Sequence, residues 1–161
     1  MIDERLFVKM ALDAWTAQLN GTDALIDQLS DEELMHEVST GRNRGIYLLG
    51  HLAAEHDLML PLLRFQAPMF PALKPVFIDA ADRAVGNLPG VEQLRAQWKA
   101  VNGVLCDHMK DLSASDWFTR HANISEDDFP KEPHRNRLNV LLTRTIHVAH
   151  HRGQLVLLKA K

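Results

Sequence analysis

The sequence predicts an all-α protein, a four-helix bundle with long irregular loops. Apolar residues step by three and four through four stretches of roughly 20 residues, the period of a helix with one buried face. No strand-like alternation of useful length interrupts them. Pro68, Pro71 and Pro75 make the joint after the second stretch irregular, and Pro130 and Pro133 lie in the joint before the fourth. Long joints let a connection run the length of a bundle, so some neighbouring helices are free to be parallel.

The first helix is marked by Val8, Leu12, Trp15, Leu19, Ile26 and Leu29, with Thr22 the one polar interruption. Asn20-Gly21 sits inside this pattern, but the period stays in phase across it, so a kink rather than a break is expected. Ser30-Asp31-Glu32-Glu33 has the form of a capping box and predicts a short helical turn. The second helix is expected from about Ile46 to Gln66, followed by an irregular proline-rich stretch that Pro89-Gly90 closes. Val91, Leu94, Trp98, Val101, Leu105, His108 and Leu112 define the third helix, with Glu92 early and Lys110 late as the helix dipole favours. A connection without periodicity then leads to the fourth helix at about Leu138.

At 161 residues the chain is the size of one domain, residues 1–161, able to bury a core without staples. Its net charge of −3 comes from 18 basic and 21 acidic residues dispersed along the chain, which argues against nucleic acid as a partner. The N-terminal "MIDERLFVKM" lacks a secretory pattern, and no apolar run approaches the length of a membrane span, so a soluble, cytoplasmic protein is expected. Cys106 is the single cysteine; with no histidine-paired motif around it, it reads as a small core residue rather than a nucleophile.

The stretch that points to chemistry is "RTIHVAHHRGQLVLLK". At 100° per residue, Thr143, His147, His150, His151 and Gln154 share one side of the fourth helix, while Leu138, Leu142, Ile146, Ala149 and Val156 lie opposite. A solvent face is the plainest reading of such a stripe. Against it, no acid occurs after Leu138, where exposed helix faces normally carry compensating charges. Val140, Val148, Leu155 and Leu158 flank the stripe, so a helix apolar nearly all round, and therefore buried, is expected. Two imidazoles at i,i+4 project side by side and can reach one metal ion, the role His147 and His151 fit.

A third ligand has to come from a facing helix, and "LLGHLAAEHDLMLPLL" offers His51, Glu55 and His56. His51 and His56 point about 140° apart and cannot both bind one ion. His51 is preferred, because Glu55 at i,i+4 can orient its imidazole or act as a base beside the metal. Glu55 reads equally well as an ion-paired shoulder residue, and His56 as a histidine at the surface or the edge of the core.

"GHLAAEHDLMLPLLRF" and "HVAHHRGQL" resemble the DinB-like (DinB/YfiT) superfamily, and the likeness extends over essentially the whole chain. The resemblance implies an up-down-down-up four-helix bundle, usually a homodimer, with a divalent metal held by His51, His147 and His151. It gives His150 and Gln154 orienting or interface roles, and no match to the loops that would carry a substrate. The superfamily includes thiol-dependent transferases and a mycothiol-dependent isomerase. The resemblance therefore also implies a metal-dependent enzyme, a low-molecular-weight thiol transferase or a hydrolase, acting on a small-molecule substrate with or without a thiol cosubstrate. Three imidazoles suit zinc and nickel alike. The alternative is a non-catalytic metal-binding or stress-response protein; an enzyme would need a recessed pocket over the ion, for which Trp117, Phe118 and Phe129 are the loop aromatics to examine.

Overall fold

The computed structural model describes residues 3–160. Among them are six α-helices, no strand, and a few short 3-10 turns: α1 (Glu4–Gln28), α2 (Asp31–Met35), α3 (Gly45–Leu62), α4 (Leu73–Phe77), α5 (Val91–Lys110) and α6 (Arg137–Val156). The all-α expectation holds, and the four long stretches correspond to α1, α3, α5 and α6. None of the described helices is long and apolar enough to cross a membrane.

α1 begins four residues before the first periodic position, capped by the Asp3 side chain on the backbone N–H of Arg5. It runs through Asn20-Gly21 as one helix. A Cβ at Gly21 would come within 2.5 Å of the Arg152 guanidinium carbon, so the glycine makes room for a side chain of α6 rather than for a turn. α2 carries the expected capping box: Ser30 Oγ accepts from Glu33 N at 3.1 Å, and Ser30 N donates to Glu33 Oε2 at 2.7 Å.

α3 stops at Leu62, short of the expected Gln66. Arg64 takes a left-handed φ of 60°, and Phe65 N turns back to Leu60 O at 2.9 Å, which closes the helix in a Schellman-type end with arginine where glycine is usual. The proline-rich stretch is not wholly irregular, because Leu73–Phe77 forms one short helix. Pro75 is tolerated there since first-turn N–H groups have no partner within the helix.

The core runs along all the long helices, with Trp15 of α1, Phe77 of α4, Trp98 of α5 and the loop residue Trp117 almost fully enclosed. α1 packs along α6, with Gln18 against Arg152 and Gln28 against Lys159. α3 packs against α5, where His56 meets Asn102 and, beyond the helix end, Gln66 meets His108. Asp57, buried in α3, accepts the backbone N–H groups of Met69 at 2.7 Å and Phe70 at 2.9 Å, and so ties the start of the following loop to the helix.

The fourth long helix differs from its expectation. α6 is not enclosed on all sides: Leu142, Ile146 and Val156 are exposed, Ile146 by 70 %. His147 and His151 of its polar stripe turn toward α3 instead, while Thr143 and His150 are exposed, because α1 and α3 cover only one side of α6. Part of the polar side of this helix faces in, and much of its apolar side faces out.

Candidate metal centre

Three imidazoles meet where α3 passes α6. His51 comes from α3, and His147 and His151 from successive turns of α6. His147 Nε2 lies 3.1 Å from His51 Nε2 and 3.1 Å from His151 Nε2. One ligand atom from each residue falls within 4.8 Å of the others, a spacing that can hold a metal ion. The ring planes stand at steep angles to one another, 59° for His51 with His147 and 84° for His147 with His151, so this is a convergence of edges rather than a stack.

The opposite ring nitrogens explain the orientation. His51 Nδ1 lies 2.8 Å from the carbonyl of Phe77, which can only accept, so this nitrogen carries the proton and Nε2 presents its lone pair. His151 Nδ1 donates to Gln154 Oε1 at 2.7 Å, with the same result. Gln154 follows His151 by one turn of α6 and supplies the orienting role that the motif assigned to it. His147 Nδ1 is buried without a hydrogen-bond partner among the described residues.

Electrostatics keep His147 and His151 neutral. Burial, then His151 and His51 beside it, hold His147 down at about 3. Burial likewise lowers His151, against a smaller opposing pull from its bond to Gln154. Neutral imidazole is the form that ligates a metal. His150 does not join the convergence: it is exposed, with its ring 5.0 Å from that of His151.

Glu55 is an ion-paired residue. Its Oε2 sits 2.8 Å from an Nη of Arg144, without the alignment of a good hydrogen bond. The partner that orients His51 is thus the Phe77 carbonyl rather than Glu55. Sequence alone offered no signal for it, since a backbone carbonyl in a proline-rich stretch has no residue type to recognise.

His56 requires a correction. It is neither at the surface nor at the core edge but fully buried between Trp15 and Trp98, with ring centroids 5.0 and 4.7 Å away and Nδ1 bonded to Asn102 Oδ1 at 2.6 Å. Its divergence from His51 is real, and it takes His56 into the core. The loop aromatics also separate: Trp117 is a core residue, Phe129 is partly exposed, and Phe118 lines a shallow cavity with Phe7, Leu138 and Leu142. Cys106, a half-buried residue of α5 beside α1, has its thiol pushed up by burial, the reverse of what activates a nucleophile.

A family model described as the DinB superfamily matches residues 14–155. The chain belongs to the DinB superfamily. The matched span runs from the middle of α1 nearly to the end of α6 and contains His51, His147 and His151. No curated protein matches the chain.

Proposed function

We propose that this DinB superfamily chain is a divalent-metal-dependent enzyme in which His51, His147 and His151 hold zinc or nickel through Nε2. The observation that carries the reading is the pair of 3.1 Å contacts between ring nitrogens. Because His51 and His151 hold their protons on Nδ1, their Nε2 atoms are bare lone pairs, and a proton on His147 Nε2 can satisfy only one of them. The other Nε2 lone pair then faces a nitrogen that has no second proton to give, an unmet contact that a cation shared by all three nitrogens relieves. Three neutral imidazoles fit zinc or nickel by donor type and leave a coordination position for another ligand. When bound, the ion would supply a Lewis acid able to activate a water or a thiol toward an electrophile.

The proposed reaction is thiol transfer or hydrolysis on a small electrophilic substrate, with Glu55 as the proposed proton acceptor one helical turn from His51. The Glu55–Arg144 pair favours a second reading, non-catalytic metal binding or a stress-response role, since a carboxylate committed to a guanidinium is a poor base. Turnover decides between them. Metal-loaded protein assayed with chromogenic esters, and with electrophiles in the presence of low-molecular-weight thiols, is expected to show activity that chelator abolishes and that Glu55→Gln lowers by roughly 10²–10⁴-fold. Full activity in chelator would remove the metal from the reaction, and no turnover on any substrate would favour the non-catalytic reading.

The same reading takes α1, α3, α5 and α6 as an up-down-down-up bundle. Gln18 with Arg152 and Gln28 with Lys159 support a common direction for α1 and α6. Glu55 with Arg144, and Gly45 beside Leu158, support opposed α3 and α6, while His56 with Asn102 and Gln66 with His108 support a common direction for α3 and α5. A homodimer completes the proposal. Its supports are the exposed Leu6, Phe7 and Met10 of α1 and Leu142 and Ile146 of α6, large apolar side chains that a second copy would cover. Light scattering at micromolar concentration is expected to give about twice the chain mass of 18.2 kDa; a monomer mass would remove the dimer.

A further inference from the structure

One face of α3 grips the segment from Phe77 to Asp82 in three successive places. At the N-cap, Arg44 N donates to Asp82 Oδ2 at 2.8 Å, and the Arg44 guanidinium reaches Asp82 Oδ1 at 2.7 Å. Three residues on, the Tyr47 hydroxyl donates to Ala80 O at 2.7 Å and lies 3.3 Å from Phe77 O. Four residues further, His51 Nδ1 donates to that same Phe77 carbonyl at 2.8 Å. The carbonyl is available because Phe77 ends α4, and the last carbonyls of a helix lack partners within it.

Two further features fix where this carbonyl stands. The Phe77 ring is fully buried against Gly50, where a Cβ would approach Phe77 Cε1 to 2.3 Å, so only glycine admits the ring at this depth. Tyr47 lies nearly parallel to the His51 ring, at 11° and 6.3 Å between centroids, and restricts its rotation from the other side.

We propose that Tyr47, Gly50 and Phe77 are positioning residues for the metal centre: together they hold His51 in the Nδ1–H form with Nε2 aimed at His147 and His151. The inference rests on the metal reading above and adds to it a part of the chain that contributes no ligand. Partners that orient a ligating histidine typically govern metal affinity by 10–100-fold, because a ring free to turn must be ordered, and its proton moved, at the moment of binding.

The test uses Gly50→Ala and Tyr47→Phe, with Lys74→Ala as control, since the Lys74 side chain makes an exposed ion pair to Asp79 on the clamped segment and no hydrogen bond to Tyr47, His51 or Phe77. Zinc affinity, measured by competition with a chromophoric chelator, is expected to fall by about 10–100-fold in Gly50→Ala and about tenfold in Tyr47→Phe, and to stay unchanged in Lys74→Ala. Nitrogen NMR of the metal-free protein supplies the readout that mere destabilisation would not move: His51 is expected as the Nδ1–H tautomer in the parent chain and as a mixture with the Nε2–H tautomer in both variants. Parent-like tautomer and affinity in the folded variants would overturn the proposal, and if Gly50→Ala does not fold, Tyr47→Phe decides alone. Should the parent chain bind neither zinc nor nickel, the metal reading fails, while the tautomer comparison still decides the clamp.

Discussion

His147→Ala is expected to lower zinc affinity by more than about a hundredfold, beyond what removal of an orienting partner costs. His147 Nε2 is the atom that touches both others, at 3.1 Å each, and its loss leaves only two nitrogens to hold an ion. His51→Ala and His151→Ala are expected to match it, because a pair of imidazoles binds weakly in water. His56→Gln is the informative contrast. It changes a histidine five residues from His51 that faces Trp15, Trp98 and Asn102, and zinc affinity should remain within a few-fold of the parent. Competition titration of all four variants is the check, and an affinity in His147→Ala equal to that of the parent chain would contradict the assignment.

The second large effect is on stability in acid, and it belongs to His56. Its imidazole is enclosed by Trp15 of α1, Trp98 and Asn102 of α5, and its own helix, and burial lowers its pKa from the ordinary 6.5 to about 4. The bond to Asn102 pulls the other way, while the nearby charge of Arg144 on α6 and the neighbouring His51 add to the lowering. Between pH 6.5 and 4 the unfolded chain therefore holds a proton at this position that the folded chain lacks. Stability is full above about pH 6.5, falls as pH drops through that window, and loses about 3 kcal/mol by pH 4 from this residue alone. His121, lowered chiefly by burial, adds in the same direction. Urea unfolding in chelator from pH 7 to pH 4.5 measures the effect. The parent slope is expected to exceed that of His56→Gln by up to about 1.4 kcal/mol per pH unit, the worth of one proton, whatever the variant's absolute stability. Equal slopes would mean that His56 titrates normally in the fold.

That His51 and His56 do not both join the convergence was legible from the angle between them, and the pairing of His147 with His151 from their i,i+4 spacing; the preference for His51 rested on Glu55 as its orienting partner, a part that the structure gives to the Phe77 carbonyl. The helical periods likewise carried α1, α3, α5 and α6, because a buried face leaves its imprint on residue type every three or four positions. The end of α3 was missed because a Schellman-type turn built on Arg64 uses a backbone conformation without the glycine that would announce it. The exposure of α6 was missed for a related reason: apolar residues around a helix do not distinguish a side buried in this chain from a side left for another. Phe77 stayed hidden because its contribution to His51 is a carbonyl, common to every residue, delivered by a contact 26 positions away.

Thermal unfolding at pH 8, with zinc and with chelator, tests the central claim most directly, because a site that exists only in the folded chain must stabilise it when filled. At free zinc a thousand times the dissociation constant the gain is about 4 kcal/mol. For a chain of 161 residues that raises the melting temperature by roughly 10 °C over the chelated protein. This separation is expected in the parent chain and is expected to disappear in His147→Ala. Superimposable curves for the parent chain in zinc, in nickel and in chelator would contradict the metal assignment, and the three converging histidines would then be a half-buried cluster that binds neither ion.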